Sequence, residues 1–237
     1  MVVAGIVAGG IGSRMGQYNV PKQFIELKSK PIIVHTVEKF LSSIDIDYVV
    51  IGVHKNWVQY CEDIKNKYFP DEKRLFITEG GYDRNATIKN IIDAAQEFCH
   101  ASDDDIIITH DAVRPFVSLR IIKENREAAE KFGVCDTVVG STDTIVRSSD
   151  ADYITDIPVR SEMYQGQTPQ SFRIGLFNEV YASMTKEELD IITDACKMFY
   201  IKGHKVKLVD GDVSNFKITF PFDYKMAKIM MEESVND

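Results

Sequence analysis

The first 22 residues place the strongest constraint on what this chain can fold into. Residues 2–7 are small, apolar or β-branched, which is typical of a buried strand in a parallel sheet. Glycines at positions 9, 10 and 12 follow, so a loop with almost no side chains leaves the strand. The backbone N–H groups of such a loop can approach a polyanion closely. Two cations, Arg14 and Lys22, come next, and this combination favours a site for a nucleoside triphosphate.

Two common phosphate-binding loops do not match this stretch. The dinucleotide fingerprint needs a third glycine at the position that Met15 occupies. The Walker loop needs a lysine where this chain has Ile11. The prediction therefore depends on the glycine loop together with Arg14 and Lys22, for which solvated surface charges are the alternative interpretation. Arginine offers a planar fork and lysine a point charge, and both suit phosphoryl oxygens.

The composition limits the classes of function that remain. The 237 residues carry a formal net charge of −8, which argues against general nucleic-acid binding, so an anion must be held by locally placed basic residues. No apolar run reaches membrane-spanning length, and no signal-peptide pattern opens the chain. The four cysteines are far apart in sequence, which disfavours a disulfide framework or a zinc site and indicates a reducing cytoplasm.

Strand and helix patterns alternate up to residue 140. They predict an α/β fold with a Rossmann-like, mostly parallel sheet covered by helices on both faces. The glycine loop, a Gly80-Gly81 turn and a turn at His110-Asp111 all follow predicted strands. Ligands of such sheets bind at the carboxyl ends of the strands, so these three segments are expected to meet at one site.

The pattern changes after residue 140. Short strand-like runs at 144–147 and 153–157 flank a Ser-Ser-Asp turn and predict a β-hairpin arm at about 141–160. An isolated hairpin is marginally stable in water, so we expect the arm to pack against a second subunit. One domain, residues 1–237, with this arm is the most economical organisation.

The remaining segments give weaker predictions. The polar stretch 164–172 has no hydrophobic periodicity, so no helix or strand is predicted there. Residues 214–219 form a strand-like run that contains Lys217. A lone lysine between apolar residues is costly unless it reaches solvent or an anion. The last helix is predicted to start at Pro221 with one apolar face, formed by Phe222, Met226, Ile229 and Met230.

Acidic and histidine side chains near the three loops have several possible roles. Asp111 could be a turn residue, could contact a ribose hydroxyl, or could bind Mg²⁺ on the phosphates, since Mg²⁺ takes only one or two carboxylates. Asp83 and Asp194 are in position to cap helices. His110 is interpreted as structural because no partner for a proton relay is nearby, and Arg114 as a brace for its turn. No nucleophile motif is present.

Together these motifs resemble one family, the cytidylyltransferases of sugar-alcohol phosphates. The resemblance covers essentially the whole chain, and its segments occur in the family's order: AGGIGSRM with PKQ, then GG through Arg84, HDAVRP, TPQ, TD and NFKIT. Two branches share this pattern, acting on methylerythritol 4-phosphate and on ribitol 5-phosphate. The stretches YQGQ before Thr168, TDACK, VHKNWV and residues 138–145 are more similar to the ribitol branch.

The resemblance implies a set of site residues, with CTP as the nucleotide and Mg²⁺ as its metal ion. The catalytic residues would be Arg14, Lys22 and Lys217. The CTP contacts would be Val7, Ala8, Gly9, Gly10, Gly81, Tyr82, Asp83, Arg84, Asn85, Ala86, Thr87 and Ala112. The polyol phosphate would be bound by Arg160, Lys217, Thr168 and Thr193. Of these, Arg160 would come from the other subunit of a homodimer.

The expected reaction is in-line attack by the acceptor's phosphate oxygen on the α-phosphorus of CTP. A phosphate monoester is largely dianionic at neutral pH, so the nucleophile needs cations rather than a general base. Methylerythritol 4-phosphate is the alternative acceptor. A catalytically silent nucleotide-binding subunit is the alternative of another class, and a dehydrogenase is the least favoured.

Overall fold

The computed structural model describes residues 1–10, 20–192 and 194–233, and a seven-stranded sheet forms its centre. The sheet strands are β1 Val2–Ala8, β4 Tyr48–Val53, β5 Leu75–Glu79, β6 Ile106–Asp111, β7 Val134–Gly140, β8 Tyr164–Arg173 and β9 Lys207–Asp210. A two-stranded sheet contains β2 Glu26–Leu27 and β3 Lys30–Pro31. The helices are α1 Ile32–Leu41, α2 Val58–Tyr68, α3 Arg84–Phe98, α4 Leu119–Phe132, α5 Ile174–Ser183, α6 Lys186–Asp190, α7 Ala195–Ile201 and α8 Pro221–Glu233.

The large sheet has the order β5-β4-β1-β6-β8-β7-β9, and only β8 runs against its neighbours. Successive residues of a strand point to opposite faces. Val3 and Ile107 accordingly pack with α3, α5 and α7, while Ala4 and Ile108 pack with α1, α2 and α4. The predicted mostly parallel sheet with helices on both faces is confirmed.

Strand β8 is a central element of the sheet that the sequence did not indicate. Its residues are mainly polar, yet Thr168 to Ser171 are buried between β6 and β7. Their side chains are paired there: the Ser171 hydroxyl lies 2.9 Å from Asn125 Oδ1, and Gln170 bonds to Asp136. Buried polar groups with partners are stable in a sheet, so no apolar alternation was needed. Pro169 sits where the pairing with β7 shifts register, which tolerates its missing N–H.

The strand-like run at 214–219 is a loop, so that prediction is wrong. Asn215 is fully buried and anchors the loop by donating to the carbonyl of Thr168 at 2.8 Å. The N–H of Ile218 donates to the carbonyl of Val113 at 3.0 Å. These side chain and backbone bonds replace a strand ladder, and Lys217 emerges between them.

Helix α8 begins at Pro221 as predicted, but its apolar face is wrong. Phe222, Met226 and Ile229 are 69, 39 and 47% exposed. The helix packs instead through the small side chain of Ala227, which lies fully buried with Ile25 and Leu27 beside the two-stranded sheet.

The predicted arm lies on the surface. Its turn forms as expected, because the Asp150 carboxylate accepts from the N–H groups of Asp152 and Tyr153 at 3.0 Å. The two predicted strands are reduced to a single bridge between Arg147 and Asp156. Five apolar side chains of the arm are 52 to 71% exposed: Val146, Tyr153, Ile154, Ile157 and Val159.

Candidate active site

A cleft of about 840 Å³ lies at the carboxyl ends of β1, β4, β5 and β6. This volume is within the range of small-molecule sites in proteins. The three segments that the sequence placed at strand ends meet here: 7–10, 79–84 and 111–113. The other lining residues are Lys22, Gln23, His54, Lys55, Thr87 and Lys217. Gln23, His54 and Lys55 were not predicted as site residues from the sequence, although His54 and Lys55 are the first two residues after the carboxyl end of β4.

The first loop is held in place from below by a buried glutamine. Gln23 is 3% exposed, and its amide nitrogen donates to the carbonyls of Ala8 at 2.8 Å and Gly10 at 3.0 Å. Lys22 precedes it at the start of a short 3₁₀ turn and lines the cleft. Arg14 lies outside the described residues, so its predicted role remains a prediction.

The second loop is closed by the start of α3. Asp83 caps this helix as predicted, accepting from the N–H of Ala86 at 2.7 Å. The Thr87 hydroxyl donates to the carbonyl of Asp83 at 2.7 Å and accepts from the N–H of Gly81 at 3.1 Å. The loop therefore approaches the cleft at the positive end of the α3 dipole. Asn85 and Ala86 are buried beneath it and do not line the cleft.

A side chain at position 81 would not fit this loop. A Cβ there would lie 2.4 Å from the Cβ of Ala86 and 2.5 Å from its carbonyl carbon. Gly81→Ala is therefore expected to displace the loop and to weaken nucleotide binding at least about tenfold, the equivalent of a modest overpacking cost. Calorimetric titration with CTP measures this. Gly140→Ala, where a Cβ meets nothing within 4 Å, is the matched control and should bind like the wild type.

Asp111, at the end of β6, is buried and is the centre of an ionic cluster. Its Oδ1 accepts from Arg84 Nη1 at 2.7 Å, while Oδ2 lies 3.3 Å from Arg114 Nε and 3.0 Å from Lys217 Nζ. Burial alone would raise the pKa of this carboxyl, but the fields of Arg84, Lys217 and Arg114 hold it well below its usual value. Asp111 thus stays ionised and holds three cations at the edge of the cleft.

His110 is structural, as predicted. It is fully buried, and burial lowers its pKa to about 4, so the ring is neutral at pH 7. Nε2 lies 3.0 Å from the carbonyl of Arg114 and must donate to it, which leaves Nδ1 to accept from the Thr168 hydroxyl at 3.0 Å. That hydroxyl oxygen in turn accepts from the N–H of Asp111 at 3.1 Å. The chain of bonds fixes the backbone that carries the cluster.

The other three residues predicted to contact the polyol phosphate are Thr168, Arg160 and Thr193, and the first two do not line the cleft. Thr168 is 4% exposed, and its hydroxyl is committed to His110 and Asp111. Arg160 is exposed at the base of the arm, where it donates to the carbonyl of Thr142 at 3.3 Å, and it does not line the cleft. Thr193 lies outside the described residues. Its neighbour Asp194 caps α7, as predicted.

Arg84 and Arg114 both belong to the ionic cluster around Asp111, which the sequence did not indicate. Arg84 was assigned to the nucleotide and Arg114 to a turn brace, yet both guanidinium groups reach Asp111. Arg114 does brace the turn as well, through a bond of 2.8 Å from Nη1 to the carbonyl of Asn215. Ala112 lines the cleft, but its N–H is used by the carbonyl of Val7 at 3.1 Å.

Two further features of the described residues bear on function. None of their helices is both long enough and apolar enough to cross a membrane. Cys61, Cys99, Cys135 and Cys196 are all buried free thiols, as the sequence predicted.

Comparison with known proteins confirms the resemblance. Residues 2–233 match the family model described as 2-C-methyl-D-erythritol 4-phosphate cytidylyltransferase. A protein of Streptococcus pneumoniae serotype 2 named ribitol-5-phosphate cytidylyltransferase is 51% identical over 98% of this chain and 100% of its own length. Proteins of the same name from S. pneumoniae strains R6 and TIGR4 match equally well.

Solved structures agree with the family assignment. The 4-diphosphocytidyl-2C-methyl-D-erythritol synthase of Anaerococcus prevotii is 27% identical with a TM-score of 0.80, covering 98% of this chain and 96% of that one. The 2-C-methyl-D-erythritol 4-phosphate cytidylyltransferase of Francisella tularensis, 23% identical, has the same fold with a TM-score of 0.79 over 96% of this chain and 98% of its own. The chain therefore belongs to the 2-C-methyl-D-erythritol 4-phosphate cytidylyltransferase family and is an enzyme of the cytidylyltransferase type.

Proposed function

We propose that this chain transfers a cytidylyl group from CTP to D-ribitol 5-phosphate and releases pyrophosphate. The observation that carries the proposal is the cleft in which two glycine-containing loops, 7–10 and 79–84, lie together with Lys22 and the Asp111 cluster. The 51% identity to proteins named for ribitol 5-phosphate supports this acceptor over methylerythritol 4-phosphate.

In the proposed reaction an oxygen of the acceptor's phosphate attacks the α-phosphorus of CTP in line. The new P–O bond forms as the bond from the α-phosphorus to the oxygen bridging to the β-phosphate breaks, and pyrophosphate leaves with that electron pair. The acceptor phosphate is largely dianionic at neutral pH, with a second pKa of about 6, so no protein base is required. This agrees with His110, which is buried and has both ring nitrogens bonded.

The proposed contribution of the protein is positioning and charge. Lys22, Lys217 and Arg14 stabilise the charge that builds on the α-phosphate and the leaving pyrophosphate. The Asp111 carboxylate, 3.0 Å from Lys217 Nζ, holds that ammonium group at the cleft. The nucleotide lies along 7–10, 81–84 and Thr87, which line the cleft with Ala112, and backbone N–H groups of these loops face the phosphates.

Mg²⁺ is part of the proposal as the counter-ion of the triphosphate. Asp111 fits poorly as its ligand, because both carboxylate oxygens already bind cations and a fourth would be repelled. No cluster of three or more potential metal ligands occurs among the described residues. We therefore assign the ion to phosphate oxygens and water, as is usual for Mg²⁺ on nucleotides, where it would neutralise charge.

Pyrophosphate release tests the function directly. The purified protein with CTP and Mg²⁺ is expected to turn over D-ribitol 5-phosphate with a kcat/KM far above that for 2-C-methyl-D-erythritol 4-phosphate. A higher kcat/KM for 2-C-methyl-D-erythritol 4-phosphate would instead assign the chain to the branch of the family that acts on that acceptor. CTP binding without turnover on either acceptor would instead identify a nucleotide-binding subunit.

We also propose that the chain is one domain, 1–237, that dimerises through its arm in the cytoplasm. The exposed apolar side chains of the arm support an interface, and the four free thiols support a reducing compartment. The dimer would bring Arg160 of one copy to the acceptor phosphate of the other. Mixing Arg160→Ala with Lys22→Ala, each nearly inactive alone, should then restore turnover in mixed dimers. Failure to restore it, with sedimentation showing dimers, would place Arg160 outside the partner's site.

A further inference from the structure

A second polar cluster lies beside Asp111, and the transfer chemistry does not use it. It consists of Asp136 on β7, Gln170 on β8 and Asp194 at the start of α7, and we call it the acidic subsite. Gln170 is paired with Thr109 of β6 on one side and with Asp136 on the other. Asp111 stands two residues beyond Thr109, so the subsite continues from Asp111 across three adjacent strands on one face of the sheet.

Gln170 has a buried oxygen that lacks a hydrogen-bond donor. The residue is 2% exposed, and its Nε2 donates to Asp136 Oδ1 at 3.1 Å and to Asp194 Oδ1 at 3.2 Å. Two carboxylates on the nitrogen fix the amide, so Oε1 faces away from them, and within the described ranges nothing donates to it. An unpaired buried acceptor costs about 1–3 kcal/mol, which a ligand hydroxyl can recover.

Arg84 presents the complementary group. Its Nη1 is committed to Asp111, but Nη2 is buried and meets no acceptor in the part of the chain that the structure describes. Asp136 lies within the field of this guanidinium and keeps part of its surface exposed. Burial, together with the charge of Asp194, raises the pKa of Asp136 to about 6 against the opposing bond from Gln170. A carboxylate in this setting gains from a further hydrogen-bond donor.

We propose that the acidic subsite binds hydroxyl groups of the acceptor's polyol chain and so selects the acceptor. This rests on the proposed transfer to a polyol phosphate. Each hydroxyl both donates and accepts, so one polyol chain can supply donors to Asp136 and to Gln170 Oε1 and an acceptor to Arg84 Nη2. Strands β6 and β7 are two spacings apart, about 10 Å, so the length of the chain decides whether its last hydroxyl reaches Asp136.

The test compares two acceptors in two proteins. Asp136→Asn keeps the shape and can still accept from Gln170, but it removes the charge. For the wild type, 1-deoxyribitol 5-phosphate, which lacks the terminal hydroxyl, should show a KM at least about tenfold above that of ribitol 5-phosphate, the cost of one hydrogen bond to a charged group. Asp136→Asn should raise the KM for ribitol 5-phosphate by a similar factor. The KM values of this variant for the two acceptors should then be nearly equal. Its KM for CTP should stay within about twofold of the wild type, since the subsite is separate from the nucleotide loops.

Several outcomes separate this inference from the proposed function. Asp71→Asn, in an exposed turn at the amino-terminal edge of the sheet, is the charge-matched control and should behave as wild type. An unchanged ratio between the two acceptors in Asp136→Asn would overturn the subsite. If that variant does not fold, equal KM values for the two acceptors in the wild type would overturn it instead. If the wild-type protein turns over neither acceptor, the proposed function itself is refuted, whatever the variant does.

Discussion

Lys22→Ala is expected to lower kcat by about a hundredfold or more, the usual cost of removing one preorganised donor from a developing charge. Lys22 lines the cleft at the first residue of its 3₁₀ turn, next to the glycine loop that Gln23 anchors. A dianionic acceptor phosphate needs no general base, so the proposed reaction depends on cations. The measurement is the steady-state rate of pyrophosphate release at saturating CTP and acceptor.

The effect on the ground state should be much smaller than the effect on turnover. In the proposed reaction Lys22 acts on charge that develops in the transition state, so the affinity for CTP should fall by less than about tenfold. Lys39→Ala, an exposed lysine on α1, is the matched control and should keep wild-type kcat. A folded Lys22→Ala protein with near-normal turnover would show that Lys22 is a surface charge.

Asp111→Asn is expected to destabilise the protein by about 3–5 kcal/mol, the cost of removing one partner from a buried ion pair. The substitution leaves Arg84, Arg114 and Lys217 facing one another without a counter-charge, and two of those guanidinium and ammonium groups are largely shielded from water. Turnover should fall as well, because Lys217 loses the carboxylate that positions it. Urea unfolding monitored by circular dichroism gives the difference in unfolding free energy. A loss under about 1 kcal/mol would mean that the three cations relax into solvent when Asp111 is removed.

The dependence on pH identifies the ion pairs as the cause. The folded-state pKa of Asp111 is held below its unfolded value of about 4, so its stabilisation is complete above that pH and is lost as the pH falls towards the folded pKa. The gap between wild type and Asp111→Asn should therefore be full at pH 7 and narrower at pH 3. Glu124→Gln breaks an exposed pair with Arg120 and should cost less than about 1 kcal/mol at either pH.

Much of the fold follows from local chemistry that a sequence displays. The apolar, β-branched run at residues 2–7 predicted β1, and capping residues predicted the start of α3 at Asp83 and of α7 at Asp194. These signals are local, since periodicity and caps act within one element. Strand β8 had no such signal, because its buried polar side chains are stable only with partners such as Asn125, 46 residues away along the chain.

The site divides in the same way. The carboxyl ends of parallel strands share one edge of a sheet, so the order of elements alone was enough to place the glycine loop, the second loop and Asp111 together. The role of Asp111 needed the structure, since its three cations come from α3, from its own turn and from a loop 106 positions downstream at Lys217. The sequence suggested a possible metal ligand there, and the structure adds that the carboxylate contacts three cationic side chains.

By itself the sequence determined the family, the sheet and the loops that meet in the cleft of this protein, because each depends on residues that are close in the chain or on the direction of the strands. Only the tertiary structure decided which charges pair. An ion pair depends on a few ångströms between side chains from distant segments, and that distance follows from packing rather than from spacing in sequence. The same packing created the acidic subsite, in which Asp136, Gln170 and Asp194 meet from three separate elements.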